Sequence, residues 1–166
     1  MARAVVQPNY KVVTSDNFSL VAAENIKAGD SLKSWDIENR VFTDVEVASI
    51  GSSNPSYPSI YIEVFDVDTG FLVPEGACHF EDGHNQWVSH DPNKTNELYG
   101  VTPMLWHPSV QAIAQSISED NDPALIIFDT WSESDPTNFM TIELVSGNNI
   151  FFTPNDQVMP PVSFYI

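Results

Sequence analysis

The chain has 166 residues, of which 23 are acidic and 6 basic, giving a formal net charge of −17 at neutral pH. Apolar residues make up 42% of it, with ten Phe, five Tyr and four Trp, the composition of one domain able to bury a core and not of a disordered acidic tail. So acidic a surface repels phosphate backbones and anionic lipid headgroups, so neither nucleic acid nor membrane is an expected partner.

The charge is unevenly spread. Residues 1–40 carry five basic and five acidic side chains, and everything after residue 40 carries 18 acidic side chains against the single Lys94. Such a face keeps a protein soluble and suits docking onto a basic partner. Cys78 is the only cysteine, so no internal disulfide staples the fold. The first residues, Met1-Ala2-Arg3-Ala4-Val5-Val6-Gln7-Pro8, lack the apolar stretch of a signal peptide. No uncharged apolar run approaches the roughly 18 residues of a membrane span. The expectation is a soluble, cytoplasmic chain without a signal peptide.

Short alternations of β-branched or aromatic with polar residues predict strands at 10–14, 19–23, 31–35, 40–50 and 59–67. Gly51 to Pro58 is a breaker cluster with the length of a loop. The strand ending at Val67 turns at Asp68-Thr69-Gly70 and returns through Phe71-Leu72-Val73, a hairpin. Residues 75–100 are polar and lack periodicity, which predicts a long polar loop. Val110, Ile113, Ala114 and Ile117 have the three-and-four spacing of one short helix at 108–117. The apolar run 124–128, continuing to Trp131, predicts a buried strand. A second hairpin is expected from 139–145 into 150–153 through Ser146-Gly147-Asn148-Asn149, with a last strand at 162–166. The predicted fold class is mainly β, a single domain over residues 1–166 built as a barrel or sandwich with one short helix.

Two stretches resemble a known family. Val21-Ala22-Ala23-Glu24-Asn25-Ile26-Lys27-Ala28-Gly29-Asp30 leads through a tight Gly-Asp turn into Ser31-Leu32-Lys33-Ser34-Trp35-Asp36. That phrase resembles the early segment of the Hint fold, the β module of inteins and hedgehog autoprocessing domains. Thr141 to Asp156 is similar to the family's hairpin ending in a Thr-x-x-His phrase. The resemblance implies a Hint-like domain and, in active members, a first-residue Cys or Ser that attacks the preceding carbonyl. Here that position falls near Val5, Asp156 stands where the assisting histidine is expected, and the chain ends Val162-Ser163-Phe164-Tyr165-Ile166 without the terminal His-Asn pair. Three missing groups predict a scaffold that is not an enzyme.

Cys78, His79, His84 and His90, close to Glu81 and Asp82, form the strongest cluster of metal-ligating side chains, although their spacing matches no common zinc phrase, and the carboxylates at Asp66, Asp68 and Glu75 and at Glu119, Asp120 and Asp122 lack the order of a calcium loop. Cys78 and the three histidines are the candidate metal ligands, and no cofactor is otherwise expected. Trp35 and Trp131 end apolar strands and are expected in the core. Trp87 has polar neighbours, which makes it the candidate partner contact.

The leading expectation is a non-enzymatic structural or assembly protein, a bacteriophage virion component of the capsid-decoration or tail type, using its acidic β domain to contact protein partners or copies of itself. One alternative is a Hint-like self-processing or hydrolytic domain with an unconventional nucleophile such as Cys78. Another is a metal- or carbohydrate-binding module.

Overall fold

The computed structural model describes residues 3–66, 68–81, 85–106, 110–115, 123–147, 149–154 and 162–165. In chain order the elements are β1 (Arg3–Val6), β2 (Lys11–Val13), β3 (Leu20–Ala22), a 3-10 turn (Ala23–Asn25), β4 (Ser31–Asp36), β5 (Val41–Ile50), β6 (Asn54–Val64), β7 (Gly70–Pro74), β8 (Cys78–Glu81) and β9 (Gln86–Ser89). They continue with helix α1 (Pro92–Tyr99), β10 (Met104–Leu105), β11 (Val110–Gln115), β12 (Pro123–Leu144), β13 (Asn149–Thr153) and β14 (Val162–Tyr165). The predicted mainly-β class holds, and the strands form one open network rather than a closed barrel, with β3 and β4 at the ends of its main path.

Strand β12 organises that network. It pairs with β11, β6, β1 and β5 in turn, all antiparallel. Its register slips between Phe128 and Trp131, twice between Ser134 and Phe139, and again between Glu143 and Leu144. Each slip bends the strand and re-aims its side chains. The predicted hairpin of β6 and β7 is present, with Glu63 opposite Gly70.

Three expectations are corrected. Residues 110–115 are strand β11, not a helix. Their three-and-four spacing is overridden by pairing with β12, from Val110 opposite Phe128 to Gln115 opposite Pro123. The helix lies instead inside the supposed 75–100 loop, which also holds β8 and β9. Its signals are caps and not an apolar stripe. The Asp91 carboxylate accepts from the Lys94 amide, Pro92 starts the first turn, and Gly100 closes the last one at φ 76°. The second expected hairpin is absent, because β13 pairs with β2 and β14 and not with β12.

The fate of β13 follows from Asn149. Its side chain acts as an extra rung against β4: Oδ1 accepts from the Trp35 amide at 2.8 Å, and Nδ2 donates to the Trp35 carbonyl at 3.0 Å. The Ser34 hydroxyl donates to the Asn149 carbonyl at 2.7 Å, and Asn149 is 1% exposed. The chain therefore crosses to the other side of the network. It delivers Ile150 and Phe152 to the main core, beside Val12, Ile62, Phe71 and Phe128, and Phe151 to a smaller cluster with Val13, Trp35 and Phe80.

Asn149→Ala leaves two buried backbone groups of Trp35 without these partners, each worth roughly 1–3 kcal/mol when unsatisfied. Urea unfolding is expected to show a loss of about 3 kcal/mol as a lower midpoint at unchanged slope, and a midpoint within error of the parent would show that the rung contributes nothing.

Candidate functional site

An N-terminal strand is usually a mobile edge, but β1 lies in the middle of this fold. Ala4, Val5 and Val6 are at most 2% exposed. Val5 lies opposite Thr141 and Val6 opposite Met140 on β12, and β1 also packs against β7 and β13. The run Ala4-Val5-Val6 is too brief to read as a strand from sequence, yet it is the element that brings position 5 into the core. Its side chain there is a hydrocarbon, with neither thiol nor hydroxyl.

Strand β8 carries Cys78 and His79. Successive side chains of a strand point to opposite faces, so the two cannot converge on one ion. Cys78 is fully buried, and burial pushes its thiol well above the ordinary range, which leaves it protonated and inert as a nucleophile. His79 packs its ring edge-on against Phe128 at 4.4 Å and Trp106 at 5.4 Å between centroids. Burial, with a smaller contribution from the nearby His90, lowers its pKa from 6.5 to about 3. The imidazole is neutral at every physiological pH. On one side of β8, β14 places Phe164 opposite His79 and Tyr165 opposite Cys78, so the last described strand runs alongside this pair.

His90 lies past the end of β9, where its Nε2 accepts from the Gly76 amide at 3.2 Å and its ring packs at a tilt of 53° against Trp131, 4.4 Å between centroids. His84 falls outside the described residues. Among the described residues, no group of three or more His, Cys, Asp or Glu side chains is placed to hold a metal ion. Two of the tryptophans depart from expectation. Trp131, expected in the core, is 42% exposed. Trp87, expected at the surface, is half-buried with its ring edge-on to Phe80 at 5.7 Å. Trp131 is exposed because β12 leaves the core there, with every residue from 129 to 136 exposed on both faces of the strand.

Solved structures sharing this arrangement from end to end are inteins and an intein-like domain. The chain has the Hint-like fold of the inteins. It superimposes on a bacterial intein-like domain from Clostridium thermocellum with a TM-score of 0.65 at 12% identity, over 100% of this chain and 99% of that one. The DnaX mini intein from Spirulina platensis gives 0.67 at 9% identity over 98% and 99%. A DnaB intein from Synechocystis gives 0.65 at 8% identity over 99% and 100%. No protein-family model matches the sequence, and neither does any curated protein.

These likenesses correct the leading expectation of a virion structural protein. The Hint-like domain is the architecture of self-splicing proteins, and nothing in the likenesses points to a capsid or a tail. Burial excludes Cys78 as the unconventional nucleophile of the self-processing alternative.

His79 also ties stability to pH. Its pKa is lower in the folded chain than in the unfolded one, so its contribution is complete above about pH 6.5 and is lost as the pH falls toward 3. His90, lowered mainly by burial, acts in the same direction. Between about pH 6.5 and 4.5, above the range where the lowered carboxyls of Asp36 and Asp44 titrate, stability should fall by up to about 1.4 kcal/mol per pH unit for His79. His79→Phe should flatten this slope in denaturant titrations across that window, and an unchanged slope would mean that His79 is not the buried neutral group described.

Proposed function

We propose that this chain is a self-processing domain of the Hint type, arrested at its first step. The observation that carries the reading is the end-to-end fold match to inteins over 98–100% of this chain. It is supported by the position of β1, whose residues Ala4 and Val5 are buried where the strand pairs with β12. The Hint resemblance assigns the initiating nucleophile to this neighbourhood, and Val5 has no group that attacks a carbonyl.

The histidine of the family's Thr-x-x-His phrase is better supplied by Gly76-Ala77-Cys78-His79 than by the segment ending at Asp156. His79 ends a four-residue phrase of the same spacing, with glycine in place of threonine. It is held neutral, and a neutral imidazole both accepts and donates a proton, as assistance of an acyl shift demands. In the chain as it stands, the scaffold and this histidine have no nucleophile to assist, so no turnover of separate substrates is expected.

Restoring the missing group tests this. With a reporter fused upstream of Met1, Val5→Cys combined with Cys78→Ala puts the only thiol of the domain at position 5. That thiol attacks the Ala4 carbonyl, the peptide C–N bond breaks as the C–S bond forms, and added thiol then displaces the thioester. Intact mass spectrometry is expected to show thiol-dependent release of the reporter ending at Ala4. The parent chain should stay whole, and a further His79→Phe change should slow release at least tenfold. A Val5→Cys chain that melts like the parent and releases nothing would overturn the proposal.

A further inference from the structure

The phrase that ends at His79 begins with Gly76 where the family's phrase begins with threonine, and the surroundings of Gly76 give that departure a reason. Gly76 has a φ of 80°, and a Cβ built there would stand 3.2 Å from Cε2 of Tyr99. The glycine leaves room for the ring. Tyr99 is then fixed from several sides. Its hydroxyl donates to the Glu75 carbonyl at 2.8 Å, and Thr95, one turn earlier in α1, donates to the Gly76 carbonyl at 2.7 Å. Helix α1 is thereby pinned to the segment that leads into β8. Burial, helped by the hydrogen bond with Tyr57, holds the Tyr99 phenol neutral and well above the ordinary tyrosine range.

What that ring meets is β1. The Arg3 guanidinium lies over it, 5.9 Å from the centroid, within reach of a cation–π contact. Arg3 is exposed, two residues before Val5, and lies opposite Glu143 on β12. Directly opposite residues of an antiparallel pair share a face, so a carboxylate flanks the same cation. Ala4 and Val5 are buried hydrocarbons that offer only shape. Moving upstream from position 5, Arg3 is therefore the first side chain with a charge. The rest of the domain favours its sign, because the 18 acidic side chains after residue 40 draw an upstream cation in and repel an upstream anion.

We infer that Tyr99, with Glu143 beside it, is the specificity-determining contact for the polypeptide that precedes position 5, and that it selects segments carrying an arginine or lysine two residues before that position. This rests on the self-processing reading and names the segment that such a domain accepts. Tyr99 is a positioning residue, since it acts on the side chain at position 3 and only through that on the Ala4 carbonyl. An arginine or lysine satisfies the aromatic face and the carboxylate together. Glutamine keeps the length and the hydrogen bonding but has no charge for the ring. Glutamate sets two carboxylates directly opposite each other, which is destabilising.

The test uses the full chain with the reporter upstream of Met1 and the Val5→Cys and Cys78→Ala changes. It reads the rate of thiol-dependent release by intact mass spectrometry, with the melting temperature of every chain alongside. Arg3→Lys should release at about the parent rate. Arg3→Gln should slow release about threefold to fivefold, and Arg3→Glu at least tenfold, each at a melting temperature close to the parent's, a result that simple stabilisation of β1 does not give. Tyr99→Phe, which keeps the ring, should preserve the cost of Arg3→Gln, and Tyr99→Leu should reduce it to less than about twofold. Glu143→Gln, at a half-buried position, should recover part of the rate lost by Arg3→Glu. Release at one rate whatever stands at position 3 would overturn the inference and leave the self-processing reading in place. A cost of Arg3→Gln unchanged by Tyr99→Leu in a folded chain would remove Tyr99 from the role. No release from any chain, each melting like the parent, would overturn the self-processing reading and this inference with it.

Discussion

The structure depends on one strand that is too long to be straight. Twenty-two residues of β12 would extend about 70 Å at roughly 3.3 Å per residue, whereas a domain of this length has a radius of gyration of about 15 Å. The strand must bend, and the register slips against β6 and β5 are where it does so. Each bend hands it to a new neighbour. The first part pairs with β11, the middle with β6, and the end with β1 and β5. One continuous backbone thereby ties the buried N-terminal strand, the hairpin core and the exposed stretch of residues 129–136 into a single frame.

Two chemically opposite environments result. Toward its end, β12 presents Phe139, Met140, Ile142 and Leu144 to the core, and there it pairs with Ala4, Val5 and Val6. That region is dry; elsewhere in the interior, on β8, burial holds the Cys78 thiol protonated and His79, packed on Phe128, unprotonated. In the middle, past the slip at Phe128, the same strand turns Trp131 and Glu133 to solvent. Negative charge is cheap there because water solvates it. The charge of the chain thus describes its exterior and says little about the interior chemistry that the fold implies.

Much of the fold was legible in the sequence because it rests on local patterns. The β6–β7 hairpin, the strands near β4 and β5, and the Gly29-Asp30 turn carry alternation or turn residues that act over a few positions. The Hint resemblance was readable for the same reason. What was not legible depends on distant partners. The spacing of Val110, Ile113 and Ala114 reads as a helix until β12 offers it a strand to pair with. Asn149 looks like a turn residue until its amide meets Trp35, 114 positions away. The exposure of Trp131 follows from β12 leaving the core over residues 129–136, which leaves no mark in composition. The helix at Pro92–Tyr99 carries cap signals, Asp91-Pro92 at its start and Gly100 at its end, but no apolar periodicity. At the site, Cys78 and His79 looked like ligands because they are adjacent in sequence, and adjacency in a strand is what separates them.

The central claim is that β1 is an integral, buried strand that holds the Ala4–Val5 peptide bond inside a Hint-like frame. Hydrogen–deuterium exchange of the intact chain, resolved to the amides of residues 3–6 and of β12, tests it most directly. The account predicts that those amides of β1 whose N–H groups enter the β12 ladder exchange as slowly as their ladder partners near Thr141 and open only with global unfolding. Exchange of the β1 amides at the rate of a frayed terminus, with β12 still protected, would contradict it, because a loose first strand cannot present that bond to anything.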